Sequence, residues 1–259
     1  DNLNQSMTQQ RVMFLQNIST DQLARYQADL ISCRGILERI YRPREFVGAM
    51  RRDIGDKRDA IGFIEVPNGL KRLRNRAIWE VNYQDYSYFT PRSLVTLLSN
   101  SGFDIIEQGI AKEGLLLTAD IRPCVGTRGE VHKQVVDDMS AIQQEIDAFH
   151  QYFVDQTQYW KTKLEEWTAA GKKVVLWGVG QREMNFINTL KIDESILHVV
   201  DVDLHNRGLH LPGSGHRVIS PAALRNLHPD IIMLVGALFE SDIHQLVNAM
   251  DLNPEFVVV

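Results

Sequence analysis

Short apolar runs alternate with amphipathic stretches along the first half of the chain. The runs at residues 12–15, 30–33 and 61–66 are each followed by turn residues, and Pro43 opens a stretch whose apolar positions lie three or four apart. A short apolar run predicts a buried strand, and the wider spacing predicts a helix. Three strand-then-helix units in succession favour a parallel sheet with helices on its faces.

The same half of the chain closes with a helix and two strands. A helix is predicted at residues 93–99, with Pro91 at its start and Gly102 after its end. Apolar runs at residues 103–107 and 115–121 predict two strands, most simply antiparallel. The predicted sheet is therefore parallel at one side and antiparallel at the other.

A long helix, or two stacked helices, is predicted at residues 130–170. This stretch contains neither proline nor glycine, and its apolar positions recur at helical spacing. Its aromatic residues fall on the same stripe, which we interpret as a packing face rather than a cofactor site.

A second α/β region follows Gly171. The predicted strands and helices alternate, with strands at 173–177, 197–200, 231–235 and 256–259 and helices at 183–190 and 241–250. The fold class predicted for the whole chain is α/β, with two lobes joined by a helical linker. The predicted domains are residues 1–128, 129–170 and 171–259.

Composition restricts the class of protein. The chain has 259 residues, of which 44% are hydrophobic and 24% charged, which is ordinary for a globular protein of one or two domains. A net charge of -5 argues against a nucleic-acid partner. No apolar run approaches the roughly 20 residues of a membrane helix. We expect a cytoplasmic protein whose partner is a small-molecule substrate.

Metal binding is not expected. Cys33 and Cys124 have neither a CxxC neighbour nor a histidine at ligand spacing. His205, His210 and His216 lie close in sequence, but in a turn-rich loop without regular ligand spacing.

A glycine turn opens the second α/β region. Gly178 and Gly180 follow a predicted strand and precede a predicted helix, and Asp201 closes the next strand. This is most of a dinucleotide-binding fingerprint, but Glu183 stands where the third glycine would be. A carboxylate there suits the helix dipole and repels a pyrophosphate. A nicotinamide cofactor, a nucleotide-derived substrate and a purely structural turn all remain open.

Four polar or aromatic residues form the second candidate site. Tyr83, Gln84, Asp85 and Tyr88 come after a predicted strand end, where open α/β sheets collect ligands. Asp85 could act as a base if an apolar surround raised its pKa, and the tyrosines could bind substrate hydroxyls. The alternative is an edge loop in which the aromatics cover the sheet and Asp85 faces water.

The chain resembles the sugar C-methyltransferases that use S-adenosylmethionine, over nearly its whole length from about residue 12. In the first lobe, the resemblance rests on residues 29–40, 63–68, 86–90 and 93–103. In the second lobe the matching residues occur in the family's order: Gly178-Val179-Gly180, Val200-Asp201, Arg207-Gly208, Leu211-Pro212-Gly213, Ile219-Ser220-Pro221 and Pro229-Asp230-Ile231.

The resemblance implies a partial class I methyltransferase domain that binds S-adenosylmethionine and a C-terminal Rossmann-like lobe that helps hold a nucleotide-linked sugar. The implied reaction is methyl transfer to a carbon beside a keto group, after a base removes a proton. Substrate is then expected between the lobes, at Tyr83, Gln84, Asp85, Tyr88, Asn68, Gly178 and Gly180. Asn17, Cys33 and Gly35 are expected at the cofactor's edge.

Three departures from the family bear on mechanism. The glycine-rich cofactor loop is expected before Val12 and is not present in this chain, and neither is the family's zinc-binding N-terminal domain. The family's Glu-His pair before the aromatic block is Gln84-Asp85 here. An aspartate, with an ordinary pKa of about 3.9, is a weaker base than histidine.

Two hypotheses follow. The first is a methyltransferase acting on a nucleotide-linked sugar or related small metabolite, whose remaining cofactor-binding residues lie upstream. The second is a catalytically degenerate methyltransferase fold that binds a substrate, a protein partner or a second copy of itself.

Overall fold

The computed structural model describes residues 28–55, 57–124, 139–236 and 240–259. The chain divides into two compact units. The N-terminal unit takes in the described residues up to Lys71 and from Gln84 to Ile142. The C-terminal unit consists of Arg72–Tyr83 and Gln143–Val259. The chain therefore enters the C-terminal unit, returns to the first and enters the second again. The division predicted at residues 128 and 170 stays a prediction.

The N-terminal unit contains a sheet of four described strands. Their order is β1-β2-β4-β3. The strands are β1 (Leu30–Arg34), β2 (Ile61–Pro67), β3 (Phe103–Ala111) and β4 (Leu116–Pro123). β1 and β2 are parallel, and β4 runs antiparallel to both β2 and β3. The expected change from parallel to antiparallel pairing is confirmed, whereas the strand predicted at residues 12–15 lies outside the described residues.

Among the described residues, α1 (Pro43–Ile54) and α3 (Pro91–Asn100) accompany this sheet, while α2 (Gly69–Arg74) begins in the N-terminal unit and ends in the C-terminal unit. α3 begins at a capping box, in which the Thr90 hydroxyl accepts from the Ser93 amide and the Ser93 hydroxyl accepts from the Thr90 amide. Leu94 and Leu98 of α3 are fully buried against Ile64 and Leu117 of the sheet. α1, α3 and the sheet thus share one apolar core.

The C-terminal unit contains a parallel five-stranded sheet. Its order is β7-β6-β5-β8-β9. The strands are β5 (Val174–Trp177), β6 (Leu197–Val200), β7 (Val218–Ile219), β8 (Ile231–Leu234) and β9 (Glu255–Val258). The chain proceeds outward from β5 on one side and returns to its other side with β8. Open sheets of this kind collect ligands at the carboxyl ends of the strands where the order reverses.

Helices cover both faces of this sheet. They are α4 (Met139–Ala169), α5 (Gln181–Leu190), α6 (Leu224–Leu227) and α7 (Glu240–Asn248). Side chains alternate along β5, so that Leu176 packs in the cluster with Phe186 of α5 while Val175 packs in the cluster with Val247 of α7. A parallel sheet needs this cover because it is apolar on both faces. The two α/β lobes expected from the sequence are confirmed.

The long helix α4 packs on the C-terminal core. Trp160, Leu164 and Trp167 are buried in the same cluster as β5, with Phe149 and Phe153 against it. The interpretation of its aromatic stripe as a packing face is therefore confirmed. Across the described residues, no helix is both long enough and apolar enough to span a membrane.

A strap formed by residues 72–83 belongs to the C-terminal unit although its neighbours in sequence do not. Trp79 is buried there and meets Phe186 edge to face, with 5.0 Å between the ring centroids. The side-chain amide of Asn185 donates to the backbone carbonyls of both Trp79 and Val81, at 2.8 and 2.9 Å. The Trp79 ring thus fills a core whose buried members outside the strap lie more than 80 residues later in the chain.

Candidate functional site

A cleft of about 840 Å³ lies at the carboxyl edge of the C-terminal sheet. Its wall combines the ends of β5, β6 and β8 with the exposed side of α7. Apolar side chains form much of it, among them Trp177, Val202, Leu234 and Ile243. Four carboxylates and two guanidinium groups complete the lining, from Glu80, Glu183, Asp201, Asp242, Arg72 and Arg182. Its position and mixed lining are typical of a small-molecule site.

The glycine turn from β5 to α5 forms one side of the cleft. Gly178 has a φ of +103°, a conformation that side chains other than glycine rarely adopt. Its amide donates to the Val200 carbonyl at 2.7 Å, which fixes the turn to β6. Gly180 is the N-cap of α5. The turn predicted at Gly178 to Gln181 between strand and helix is thus confirmed, whereas its predicted orientation towards a cleft between the lobes and its contact with substrate stay predictions.

The Glu183 side chain folds back over this turn. A Cβ atom built on Gly180 would lie 2.7 Å from Glu183 Oε2, and one on Gly178 would lie 3.3 Å from Glu183 Cδ. Burial raises the pKa of the Glu183 carboxyl, and the nearby backbone N–H groups of Glu183 and Gly180, together with the Arg182 guanidinium, oppose the rise. Glu183 is the third residue of α5, the position from which a carboxylate turns back towards the N-cap in a capping box. The carboxyl therefore lies beside the amides at the start of α5.

Asp201 joins the ends of two strands. Its Oδ2 accepts from the Val179 amide at 3.1 Å, while its Oδ1 accepts from the Asp203 amide at 2.6 Å. In a dinucleotide-binding lobe an acidic residue at this position binds the ribose hydroxyls. Here both of its carboxylate oxygens hold backbone, so Asp201 has a structural task in addition to any contact with a ligand.

An ion pair between Arg182 and Glu80 connects α5 to the strap. The Arg182 guanidinium also covers the turn after β8, since a Cβ atom on Gly236 would lie 2.8 Å from its Nη1. This pair was not identified from the sequence, because its members lie 102 positions apart. The apolar run Ala77-Ile78-Trp79, in a stretch rich in charged residues, was the local sign that the strap packs against something.

The candidate cofactor residues lie at the carboxyl end of β1. Cys33 is buried in the N-terminal core, and Gly35 adopts a positive φ of +64° with the nearest side-chain atom, Glu38 Oε1, 3.8 Å from a Cβ position. Burial raises the pKa of the Cys33 thiol to about 11, and the Glu38 carboxylate adds to the rise. The thiol stays protonated at neutral pH and is unsuited to act as a nucleophile. Asn17 lies outside the described residues.

Asn68 directly follows β2, and its side chain forms hydrogen bonds to backbone groups. Its side-chain amide donates to the Gly114 carbonyl at 2.9 Å, and its carbonyl oxygen accepts from the Lys71 amide at 3.2 Å. These bonds fasten the start of α2 to the turn between β3 and β4. Its predicted substrate contact stays a prediction, since the structure shows a structural role.

The residues of the second candidate site differ in their exposure to solvent. The Asp85 side chain is 3% exposed and lies 3.9 Å from the Arg39 guanidinium, whereas Tyr83 is 85% and Tyr88 46% exposed. Gln84 is exposed as well. The expected apolar surround of Asp85 is therefore corrected, because an arginine stands next to the carboxylate and these two tyrosines face outward. The loop is anchored by the Tyr86 and Ser87 amides, which donate to the Glu38 carbonyl at 2.8 and 3.1 Å.

The three histidines of the loop after β6 occupy different surroundings. His205 is exposed and bonds to Asp203, His210 forms a backbone bridge with Arg217, and His216 is buried. Burial lowers the pKa of His216. In the part of the chain that the structure describes, no group of three histidine, cysteine or acidic side chains could hold a metal ion.

The fold defines a Rossmann-like lobe with a cleft at its switch point. A family model described as the C-methyltransferase C-terminal domain matches residues 129–259, which is half of the chain. The chain belongs to this C-methyltransferase family. No curated protein matches it.

Proposed function

We propose that this chain belongs to an enzyme that transfers a methyl group from S-adenosylmethionine to a nucleotide-linked sugar or a related small metabolite. The observation that carries the proposal is a ligand-sized cleft at the switch point of the lobe that matches the methyltransferase family. Such clefts bind small molecules by apolar walls and a few placed polar groups. In this proposal the C-terminal cleft holds part of the substrate.

The described residues at the end of β1 fit the cofactor in two respects. A Cβ position on Gly35 meets only Glu38 Oε1, at 3.8 Å, so the glycine leaves room beside it, and the buried Glu38 carboxylate places negative charge there. S-adenosylmethionine is a sulfonium cation and supplies the methyl group when bound. Glu38 and Gly35 would thus line its edge, in addition to the residue predicted at Asn17.

Asp85 is the proposed base of the reaction. Its carboxylate is withdrawn from solvent and held beside the positive charge of Arg39. The fixed Tyr86 and Ser87 backbone limits the positions that the carboxylate can reach. A carboxylate so placed can accept a proton from a carbon made acidic by a neighbouring carbonyl, provided that the substrate brings that carbon within hydrogen-bond reach.

The test is methyl transfer by the full-length protein from radiolabelled S-adenosylmethionine to a panel of nucleotide-linked keto sugars. Asp85→Asn keeps the size of the side chain and removes its basicity, so turnover is expected to fall about 10²- to 10⁴-fold. The affinity for S-adenosylmethionine, measured by titration calorimetry, is expected to change little. Unchanged turnover in Asp85→Asn would show that Asp85 is not the base.

A binding protein without catalysis is the second candidate function. It is favoured by the family's Glu-His pair being Gln84-Asp85 here and by the exposure of Tyr83. This candidate predicts that the full-length protein binds a nucleotide-linked sugar and transfers no methyl group to any member of the panel. Detectable transfer to one sugar eliminates it.

A further inference from the structure

The glycine turn of the C-terminal cleft has the backbone of a phosphate-binding loop. Gly178 and Gly180 remove side chains from the surface of the turn, and a ten-residue helix begins directly after it. In dinucleotide-binding lobes, a pyrophosphate occupies the space above such glycines and accepts from the amides at the helix start. The same space is therefore the place to look for the cleft's ligand preference.

A carboxyl group of the protein occupies that space. Glu183 Oε2 lies 2.7 Å from the position of a Cβ atom on Gly180, so a phosphate oxygen cannot enter without displacing it. The backbone N–H groups of Gly180 and of Glu183 itself lie close enough to stabilise the negative charge of this carboxyl. It thus takes the volume that a phosphate would use and lies beside the amides that would bind one.

The charged side chains around the turn also disfavour a bound phosphate. Arg182 is the basic residue in the first turn of α5, and it is paired with Glu80 of the strap. Asp201 lies near enough to Glu183 to interact with it electrostatically, and Asp242 lines the same cleft. A diphosphate placed on the turn would meet these carboxylates in addition to Glu183.

We infer that Glu183 determines the ligand class of the C-terminal cleft by standing in for a phosphate. The cleft excludes dinucleotides and diphosphates from the glycine turn, and it accepts a hydroxyl-bearing group with an apolar face against Trp177 and Val202. The exclusion is independent of the proposed reaction. Only its corollary rests on the proposed function: a nucleotide-linked sugar enters this cleft by its sugar or its base, with the diphosphate away from the turn.

The test is to remove the carboxyl and measure binding of ADP by calorimetry and of NADH by fluorescence. Glu183→Gly restores the third glycine of the fingerprint, and Glu183→Ala vacates the turn while keeping a good helix former. Two hydrogen bonds from the amides of the vacated turn to an anion predict ADP affinity at least on the order of 100-fold above the wild type for either variant. Glu165→Ala, on the exposed side of α4, is the matched control and should bind as the wild type does.

A second substitution locates the gained site. Gly180 has an ordinary φ of -66°, and the atoms beyond its chain neighbours that lie within 4 Å of its Cβ position all belong to Glu183. Gly180→Ala is therefore tolerated once Glu183 is alanine, but its methyl group faces the incoming phosphate. The double variant is expected to lose the affinity that Glu183→Ala gained, and retention of that affinity would place the nucleotide elsewhere and overturn the inference.

The wild type provides a test that does not depend on the folding of a variant. ADP is titrated into isotope-labelled protein while the amide resonances of Gly178 and Gly180 are followed. We expect both to stay unchanged at concentrations that saturate Glu183→Ala, or at millimolar ADP if that variant does not fold. Saturable shifts in the wild type, or folded Glu183 variants that gain no affinity, refute the role of Glu183. Methyl transfer is assayed separately, so loss of the proposed function leaves this result readable.

Discussion

Replacement of Trp79 by alanine removes the main apolar anchor of the strap. The residue is only 8% exposed, and its ring packs with Phe186 and the other members of the C-terminal core. A tryptophan buries about 200 Å² of surface, which at about 25 cal/mol/Å² corresponds to an upper limit of about 5 kcal/mol. Measured costs of truncating buried tryptophans are about 3–5 kcal/mol. We therefore expect Trp79→Ala to destabilise the C-terminal unit by about 3–5 kcal/mol.

Tryptophan fluorescence is a selective probe of this loss. The chain has four tryptophans, and all of them lie in the C-terminal unit. Urea unfolding followed by fluorescence in Trp79→Ala still has three reporters in the affected unit. Val81→Ala is the matched control, because Val81 is 41% exposed and its backbone bond to Asn185 survives the change.

Trypsin supplies a local readout of the same variant. The strap and its approach carry several basic residues, including Arg72, Arg74 and Arg76. Cleavage there should accelerate in Trp79→Ala and remain slow in Val81→Ala, since a detached strap offers its backbone to the protease. A Trp79→Ala protein whose unfolding free energy lies within about 1 kcal/mol of the wild type, well below the usual cost, would refute the assignment of the strap to this core.

Three further changes test individual features. Burial lowers the pKa of His216, so the unfolded state binds a proton there more readily than the folded state does. The stability of the wild type should therefore fall as the pH drops below about 6.5. In His216→Gln, the free energy of unfolding measured in urea should change less between pH 7 and 5. Gly178→Ala should cost about 1–3 kcal/mol in thermal unfolding, more than Gly171→Ala, since both glycines have positive φ but a Cβ atom on Gly171 meets nothing within 4 Å. Thr90→Ala removes half of the α3 capping box and should cost about 1 kcal/mol by chemical denaturation, whereas equal stability would make that cap unimportant.

The sequence predicted the elements whose causes are local. Pro91 and Gly102 bracket α3, and the alternation of glycines with a following amphipathic run places the turn from β5 to α5. Periodicity also identified the packing face of α4. β7 was missed because two residues, Val218 and Ile219, carry too little pattern to distinguish a strand from a loop.

The candidate site was predicted only in part, since its geometry depends on contacts between distant segments. The sequence shows that Glu183 stands where the fingerprint has a glycine. It does not show that the Glu183 side chain folds back over Gly180, because this depends on the side-chain rotamer and on the space available in the fold. The pairing of Asp85 with Arg39 replaced the expected apolar surround, because two loops after different strands meet there. Nothing in the local pattern of residues 72–83 indicates which of the two cores they pack against.

The discontinuity of the C-terminal unit has a consequence for the order of events during synthesis. Trp79 leaves the ribosome well before its partners, because the bond from Asn185 to its carbonyl spans 106 positions. At about 5 to 20 residues per second, the indole waits on the order of 5 to 20 s before α5 has been made. During that interval the apolar side chains of the strap have no core to pack against, while the chain segments before and after it belong to a unit that can already begin to fold. Chaperone dependence and aggregation during expression are therefore expected to begin at the strap, and slower translation of the segment from 143 to 190 should aggravate them.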